Sequence, residues 1–356
     1  MKLTICPSDY DILIGLDVDQ KSYAATYRNA DNQGRSLKMP ANPESLCHYF
    51  QKRFSGKRLL YVYEAGPTGY QLHDYIESQG QSCMMVNAAS VPHAPNDFVK
   101  TNRLDSQSLV EQAKSGRMRG IRVPSEIYRQ LRHLVGLRQQ YVEDQKQAKQ
   151  RIKALLLFES IKLSRADSLS SSYWSARFLQ ALRNIPLPEH LRFKLDLLLE
   201  DLQHARNRLL LIHNRLRQTC QNEEALQKNI SYLRSIPGIG FVVSAHVLAR
   251  IGDPIHLKNI RELGSFFGVV PTEYSTGDQI HRGSITHMGD STLRGLLVEA
   301  AWVAIRKDKQ LRQFYDRIRS KRRGEGGSKI AIVAVARKLS HRIYRVLKEQ
   351  RLYVLY

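Results

Sequence analysis

Two long stretches with leucines at helical spacing constrain the fold of this chain more than any other feature. The first runs from Ser125 to about Ile161, and the second from Glu189 to about Gln221, within RFKLDLLLEDLQHARNRLLLIHNRL. Apolar residues at intervals of three and four, among charged ones, form a single apolar face on an α-helix. The pattern predicts two long helices with a loop at SLSSSYW between them, paired as an antiparallel coiled coil or forming a seam between subunits.

The residues before these helices alternate between strand and helix patterns. DILIGLDV, KSYAATYRN and GRSLKMP are β-compatible runs separated by turn residues, and they predict a three-stranded meander. NPESLCHYFQKRF then predicts a capped helix, KRLLYVYEAG a buried strand, TGYQLHDYIESQG a helix and QSCMMVNA another strand. Strands that alternate with helices indicate an α/β layer fold.

A short glycine turn, SIPGIG, follows the second long helix and separates two apolar helical segments. It contains Gly238 and Gly240, and it matches a helix-hairpin-helix, in which backbone amides at a helix N-terminus bind a phosphate. A tight turn between two helices is the alternative interpretation. We also predict a long polar loop over PTEYSTGDQIHRGSITHMGD, residues 271–290.

The last segment, from Arg306 to Arg351, is strongly basic around the apolar run KIAIVAVARKL. We expect a helical hairpin whose outer face, with Lys329, Arg337 and Lys338, contacts phosphates, although a solvated basic face has the same pattern. The whole chain carries 55 lysines and arginines against 33 acids, a formal charge of +22. This balance indicates a polyanionic partner, with nucleic acid as the first expectation.

A membrane surface is the competing partner for such a charge. No apolar run of about 18 residues is present, and the N-terminus lacks a signal-peptide core, so a soluble intracellular protein is expected. The four cysteines, at 6, 47, 83 and 220, are far apart and form no C-x-x-C pair. Neither a zinc cage nor a disulfide framework is indicated, and we expect reduced, buried thiols.

Three acids are placed where an α/β sheet could gather them. Asp17 and Glu64 each end an apolar strand, and Asp105 begins a helical pattern in KTNRLDS. Carboxylates at strand ends and at a helix start meet at one edge of such a sheet, where they bind Mg²⁺. Two such ions orient and activate a water or hydroxyl for attack on phosphorus, whereas unrelated surface acids are the plain alternative.

GLDVDQKSY, YEAGPTGY and KTNRLDS, in this order and spacing, resemble the DEDD signature of the IS-one-ten family of bacterial insertion-sequence transposases and Piv-type DNA invertases. SIPGIG, FFGVVPTEYSTG, GSITHMGDSTLRGLL and KIAIVAVARKL resemble the C-terminal domain of that family, so the similarity covers nearly the whole chain. It implies an α/β plus α fold with a RuvC-like, RNase H-type domain over 1–124. A coiled-coil connector over 125–228 and a transposase domain with helix-hairpin-helix and serine loop over 229–356 would follow.

The resemblance also implies roles for the acids. Asp17, Glu64 and Asp105 would be the first, second and fourth ligands of a Mg²⁺ or Mn²⁺ site, and Asn102 occupies the third position. An amide oxygen binds such an ion without contributing charge, which is expected to weaken metal affinity or to shift a ligand role to a neighbour such as Asp97.

The family's nucleophilic serine precedes a glycine, and this chain has YSTG in that place. Alignment on the glycine selects Thr276, while we prefer Ser275 because a primary hydroxyl is less hindered. Arg282, His281 and His287 are expected to steady phosphate charge nearby. A hydroxyl that caps its own turn is the non-catalytic alternative.

Together these features predict a DNA transposase or recombinase that joins acids and serine in a composite active site, within one chain or across subunits. The resemblance implies a structured guide RNA, element and target DNA as partners, and a homo-oligomer, a dimer or tetramer, in the cytoplasm at the nucleoid. A metal-dependent junction resolvase or nuclease without a serine intermediate is one alternative. A catalytically inactive nucleic-acid-binding relative is the other.

Overall fold

The computed structural model describes residues 2–3, 5–29, 33–87, 101–116, 118–161, 174–276, 279–321 and 326–354. The chain divides into two compact units, Met1–Pro124 and Ser125–Tyr356. This division coincides with the end of the first predicted domain, whereas the boundary at residue 228 stays a prediction.

The first unit is built on a seven-stranded sheet with the order β1-β7-β6-β5-β2-β3-β4. Its strands are β1 (Lys2–Leu3), β2 (Ile12–Val18), β3 (Ser22–Asn29), β4 (Gly34–Pro40), β5 (Leu59–Glu64), β6 (Ser82–Val86) and β7 (Gly120–Ile121). The meander β2-β3-β4 is antiparallel, as predicted, and β5 pairs parallel with both β2 and β6. The two-residue strands β1 and β7 are too short to leave a hydrophobic pattern in the sequence.

Three helices cover the two faces of this sheet. They are α1 (Pro43–Arg53), α2 (Gln71–Ser78) and α3 (Asn102–Lys114). Apolar residues of α1 and α2 share one core with one face of the sheet, and α3 packs on the opposite face. Asn42 accepts a hydrogen bond from the Ser45 amide and Thr101 accepts one from the Leu104 amide, so both α1 and α3 begin at capped residues.

The second unit begins with two long helices, α4 (Glu126–Phe158) and α6 (Glu189–Asn222). Arg138 of α4 donates to His213 of α6 at 2.8 Å, and the Tyr141 ring lies 6.2 Å from that of His204. Residue numbers rise along α4 while they fall along α6, so the pair is antiparallel. The prediction of two long helices is confirmed.

A third helix lies between them, α5 (Ala176–Asn184), just after the predicted loop and in a stretch for which we predicted no element. Its Phe178, Leu179 and Leu182 are buried with leucines of α4 and α6. The Ser175 side chain accepts a hydrogen bond from the Phe178 amide and begins the helix. Only nine residues carry this pattern, and they follow a serine-rich run, which hides the helix in the sequence. Residues 162–173, with most of SLSSSYW, lie outside the described part.

The rest of the second unit is mostly helical. Its helices are α7 (Glu224–Arg234), α8 (Phe241–Ile251), α9 (Ile260–Phe266), α10 (Ser291–Lys307), α11 (Lys309–Ser320) and α12 (Gly326–Lys348). The expected basic helical hairpin is present as α11 and α12. None of the described helices combines the length and apolar character that crossing a bilayer requires.

The loop predicted over residues 271–290 is wrong in its main part. Strand β8 (Pro271–Thr276) pairs antiparallel with β9 (Gln279–Ile285), and the Thr286 amide donates to the Val270 carbonyl at 3.0 Å. The segment mixes β-compatible residues with glycine and polar residues, and therefore shows no apolar alternation. Backbone pairing, rather than burial of one face, defines these strands.

All four cysteines are free. Cys47, Cys83 and Cys220 are buried as predicted, but Cys6 is exposed. It precedes a single 3₁₀ turn, Pro7–Asp9, that has no buried residue, so the expectation of four buried thiols is wrong at this position.

Candidate active site

Asp17 and Glu64 lie at the same edge of the sheet. Leu16 of β2 pairs with Tyr63 of β5 in parallel register, and both side chains belong to the core beneath α1 and α2. Because successive strand residues point to opposite faces, the next residues, Asp17 and Glu64, turn to the face that α3 covers. Both are half-buried.

The first turns of α3 cross directly over β2 beside these acids. Asn102 is the first residue of α3 and is exposed, while Asp105 lies in the first turn and is half-buried. A Cβ atom placed on Gly15 would lie 2.3 Å from the backbone oxygen of Ser106. Gly15 is on the same face as Asp17, so its missing side chain allows the close approach that puts Asp105 at this edge.

A buried network of hydroxyls fixes the position of α3 on the sheet. The Thr26 hydroxyl lies 2.8 Å from those of both Ser106 and Ser36, and Gln107 donates to Ser36 at 3.1 Å. Thr26 and Ser106 are 1% and 0% exposed, so the hydrogen bond between them is shielded from water, while the two at Ser36 are partly buried. Sequence reasoning missed this network, since only the sheet register brings Thr26 beside α3.

The chemistry of this edge suits a hard divalent cation. Carboxylate oxygens of Asp17, Glu64 and Asp105, with the amide oxygen of Asn102, are the ligand types that Mg²⁺ and Mn²⁺ prefer. Within the described ranges, no three histidine, cysteine or acidic side chains are grouped closely enough to bind a metal together. Asp97, the neighbour considered for a ligand role, falls in residues 88–100, outside the described part. The ligand types therefore fit, but the three carboxylates are not gathered into a preformed site.

The predicted nucleophiles lie at the end of a strand rather than in a long loop. Ser275 and Thr276 are the last residues of β8, and their backbones pair with Ile280 and Gln279 of β9. Arg282 pairs with Glu273 further along the hairpin. The structure describes only the backbone at 275, 276 and 279–282, so the predicted side-chain roles there, including that of His281, lie outside the described part.

The glycines of SIPGIG have two different surroundings. Gly238 has a φ of +89°, and a Cβ atom there would lie 2.3 Å from the Ala300 carbonyl oxygen of α10. Gly240 precedes α8, has open space around its Cα atom and supplies no side-chain cap. The close packing of the turn on α10 explains why residue 238 is a glycine. Gly240 instead lies next to the backbone amides at the start of α8, which no side chain caps.

The predicted cations of α12 are accessible. Lys329 and Lys338 are exposed and Arg337 is half-buried, and none of the three pairs with an acid among the described residues. Lys338 and Arg317 lie over the Phe314 ring, at 5.1 and 5.4 Å from its centroid. This face of the α11–α12 hairpin is therefore positively charged and includes an aromatic ring.

Two family models match the chain, over two separate ranges. A transposase model for the DEDD type of the IS110 group matches residues 14–159, and a model described as transposase IS116/IS110/IS902 family matches residues 230–316. The first includes all four predicted metal ligands. The second includes the SIPGIG turn and the β8–β9 hairpin.

Curated relatives agree with these models. The chain is 30% identical to the putative transposase y4qE of Sinorhizobium fredii over 69% of this chain, and it spans 58% of that relative's length. It is 23% identical to the transposase for insertion sequence element IS1533 of Leptospira borgpetersenii, over 94% of this chain and 95% of that protein. It is 27% identical to the pilin gene-inverting protein of Moraxella bovis, over 43% of this chain and 47% of that protein. The family expected from the motifs is confirmed: the chain belongs to the IS116/IS110/IS902 family of transposases.

Proposed function

We propose that this chain cleaves and rejoins DNA, with the ends of a mobile element and a target as substrates. The observation that carries the proposal is the meeting of Asp17, Glu64 and the first turn of α3 at one edge of the sheet. The names of the relatives, transposases and a pilin gene-inverting protein, support the same reaction class. Such a reaction would place the protein in the cytoplasm, at the nucleoid.

The topology of the first unit supports a RuvC-like, RNase H-type domain. An antiparallel meander, β2-β3-β4, is followed by two parallel strands added on the other side of β2. This arrangement puts the ends of β2 and β5 next to each other at the centre of the sheet. Acids at those ends follow strand residues that are almost completely buried.

We assign the acidic edge as the site of one or two divalent ions, Mg²⁺ or Mn²⁺. A bound ion of this kind polarises a phosphate and lowers the pKa of an attacking oxygen. Asp17, Glu64 and Asp105 would supply negative charge, and Asn102 a neutral oxygen from the exposed start of α3. Because no three carboxylates are grouped among the described residues, the ligands would have to move closer when an ion and DNA bind.

We assign Ser275 as the nucleophile, with Thr276 as the alternative. A bond would form between its Oγ atom and phosphorus as the bond from phosphorus to one DNA end breaks. The hydroxyl proton passes to a base and the released DNA oxygen takes up a proton. A second DNA hydroxyl then displaces the serine, which restores it and joins the new ends. Positions 275 and 276 belong to opposite faces of the hairpin, so only one of them is expected to carry DNA.

Several surfaces of the second unit are proposed to bind the nucleic-acid backbone. The uncapped amides after Gly240 are suited to one phosphate, in the manner of a helix-hairpin-helix, and Gly238 would hold the turn in place. Lys329, Arg337 and Lys338 would bind further phosphates along α12, and Arg282 one near the hairpin. This charge is also what a structured guide RNA would require.

Self-association as a dimer or tetramer is part of the proposal. Phe158 ends α4 and Phe193 lies in the first turns of α6, so the antiparallel pairing brings both to the same end of the helix pair. They are 86% and 67% exposed, and Leu157 is 82% exposed. Large apolar side chains concentrated on one tip indicate a contact with a second copy of the chain.

The test is to trap the covalent intermediate on duplex DNA that carries the element's ends. Reactions with Mg²⁺ are stopped in detergent, and the residue attached to DNA is identified by mass spectrometry. We expect the adduct at Ser275, absent in Ser275→Ala and retained in Thr276→Ala. Ser284→Ala, on the exposed part of β9, is the matched control and is expected to form it normally.

Other outcomes select the alternatives. An adduct lost only in Thr276→Ala would move the nucleophile by one residue. Cleavage that persists in both variants, without any adduct, would show a nuclease or resolvase. Tight, salt-sensitive binding without cleavage would show an inactive relative. Ribonuclease treatment before the reaction tests the guide RNA, because loss of sequence-directed cleavage is expected if RNA is required.

A further inference from the structure

A cavity of about 390 Å³ lies in the second unit between α4, α8 and the first turn of α10, and contains none of the residues assigned above. Its polar and glycine lining consists of Gly136, Gln139, Gln140 and Glu143 from α4, His246 and Arg250 from α8, and Thr292 from α10. This mixture of a glycine, an amide, an imidazole and a hydroxyl is typical of a pocket that binds a small polar group.

His246 is the most unusual residue of the lining. Its side chain is 3% exposed, and its Nε2 atom has no hydrogen-bond partner in the described part of the chain. Burial, together with the nearby Arg138 guanidinium, lowers the pKa of His246 to about 4, so the ring is neutral near pH 7. An unsatisfied buried polar atom lowers stability, and a ligand that bonds to it in the cavity would remove that cost.

Gly136 supplies an independent indication of a ligand. It lies inside the 33-residue helix α4, where glycine is less favourable than alanine. A Cβ atom at this position would meet nothing within 4 Å, so packing within the chain does not require glycine here. A ligand that lies flat against the helix backbone would explain why no side chain occupies this part of the wall.

The charges of the lining are already balanced. Arg250 pairs with Asp290 at 2.5 Å, and Glu143 pairs with Lys146 at 3.2 Å. Within the lining, a phosphate would therefore meet no unpaired cation and would approach two carboxylates. Arg138, which donates to the His213 ring, is near His246 but is not part of the lining. The groups that remain are a neutral imidazole, the amides of Gln139 and Gln140 and a hydroxyl, which match the hydrogen-bonding edge of an uncharged, planar ligand.

We propose that this cavity binds a single unpaired nucleobase turned out of a helix, which presupposes that the chain acts on nucleic acid. The edge of the base would pair with the Nε2 atom of His246, and its sugar or ring would lie beside Gly136. Enzymes that rearrange nucleic-acid strands expose such bases at junctions and bulges, and a pocket that accepts one fixes the position of the strand.

The test compares two duplexes that differ by one bulged adenosine. The affinity of the full-length protein for each is measured by fluorescence anisotropy in EDTA, so that cleavage and adduct formation play no part. Separate DNA and RNA versions show which strand type supplies the base. We expect the bulged duplex to bind about tenfold more tightly than the paired one, the effect of one buried hydrogen bond with its ring contacts.

Three variants identify the cavity as the cause. His246→Ala is expected to remove the preference while leaving affinity for the paired duplex unchanged, and His246→Gln, which keeps a polar group there, to retain part of it. Gly136→Ala should weaken the preference while it raises the melting temperature slightly, a combination that a purely structural role would not give. His133→Ala, exposed on the same helix, is the matched control.

An equal affinity of the wild type for both duplexes, or an unchanged preference in His246→Ala and Gly136→Ala, would overturn the proposal. If these variants changed self-association in sedimentation but not the affinity for either duplex, the cavity would be assigned to a protein contact instead. Because affinity is read without divalent ions, a protein that forms no serine adduct but prefers the bulge rejects the proposed reaction and keeps the pocket. A protein that forms the serine adduct but does not prefer the bulged duplex supports the proposed reaction and rejects the pocket.

Discussion

The acidic edge and the serine hairpin are held in place by different means. Asp17 and Glu64 continue strands whose preceding residues are almost completely buried, and α3 is fixed above them by the hydroxyl of Thr26. The β8–β9 hairpin is held mainly by pairing of its own two strands, and Tyr274, beside the proposed nucleophile, is 76% exposed.

This difference indicates which component of the proposed reaction is preorganised. The acids are attached to a core that resists displacement, because packed interiors transmit strain rather than absorb it. In the described part of the hairpin, the main contacts are between its own two strands, so the DNA of the proposed reaction would position it. We therefore expect substitutions near the acids to change cleavage by altering the position or charge of the carboxylates. In the second unit, we expect some substitutions to lower stability and others to change DNA binding.

The substitution Asp17→Asn is the strongest test of the acidic edge. The change preserves the size of the side chain but removes its charge, so single-turnover DNA cleavage should fall by about a hundredfold or more with little change in melting temperature. Asp19→Asn is the matched control, two residues further on and exposed, and should cleave normally. Normal cleavage by Asp17→Asn would show that this edge is not the metal site.

A second test removes the main buried ion pair of the second unit. Asp308 is 1% exposed at its side chain, pairs with Arg342 at 2.6 Å and accepts a hydrogen bond from the Leu311 amide. Asp308→Ala leaves Arg342 unpaired, and the free energy of unfolding should fall by about 3–5 kcal/mol. Asp316→Ala, in an exposed pair with Arg312, should cost no more than about 1 kcal/mol.

The pH dependence of this pair has a definite sign. Burial raises the pKa of Asp308, but the Leu311 amide and the Arg342 guanidinium outweigh it and hold the pKa below its ordinary value of 3.8. The pair's contribution is therefore complete above about pH 4 and is lost as the pH falls through the lowered pKa. Urea unfolding of Asp308→Ala should show a smaller loss of stability on acidification than the wild type. An equal loss in both proteins would contradict this assignment.

The two glycines of SIPGIG separate packing from binding. Gly238→Ala forces a side chain onto the Ala300 carbonyl at positive φ, and should lower the free energy of unfolding by about 2–3 kcal/mol. Gly240→Ala meets open space and should change stability by less than about 1 kcal/mol. If the amides after Gly240 bind a phosphate, this second variant should nevertheless weaken DNA binding at low salt. An equal loss of stability in both variants would show that the whole turn serves only packing.

Sequence patterns predicted the helices and strands whose apolar residues recur at a regular spacing. They missed the strands that are defined by backbone pairing. The leucines of α4 and α6 and the apolar strands around Asp17 and Glu64 have periods that a sequence displays directly. The β8–β9 hairpin was predicted as a loop because its pairing is made by backbone groups, which leave no side-chain pattern. The nine residues of α5 were too few to stand out beside a serine-rich run.

The residues of the candidate site also divide into those that the sequence predicted and those that it missed. The acids were placed at one edge because strand ends in an α/β sheet have a known position. Thr26 and Ser106 were missed, since nothing in their local sequence shows that β3 and α3 bring their hydroxyls together. The cavity at His246 had no sequence signal either, because its wall combines three helices that are distant along the chain.

The smallest expected effect concerns the hydroxyl network, and it tests whether α3 must be held accurately for the acids to work. Thr26→Val keeps the shape of the side chain but leaves Ser36 and Ser106 without their shared partner. The free energy of unfolding should fall by only about 1–2 kcal/mol, because Ser106 still donates to the Arg103 carbonyl. Cleavage should nevertheless slow by more than this loss of folded protein explains, at a temperature where the variant is fully folded, since Asp105 is the residue before Ser106. Unchanged cleavage in a destabilised variant would show that the acidic edge tolerates movement of α3, and that the two sites are less different in rigidity than their packing indicates.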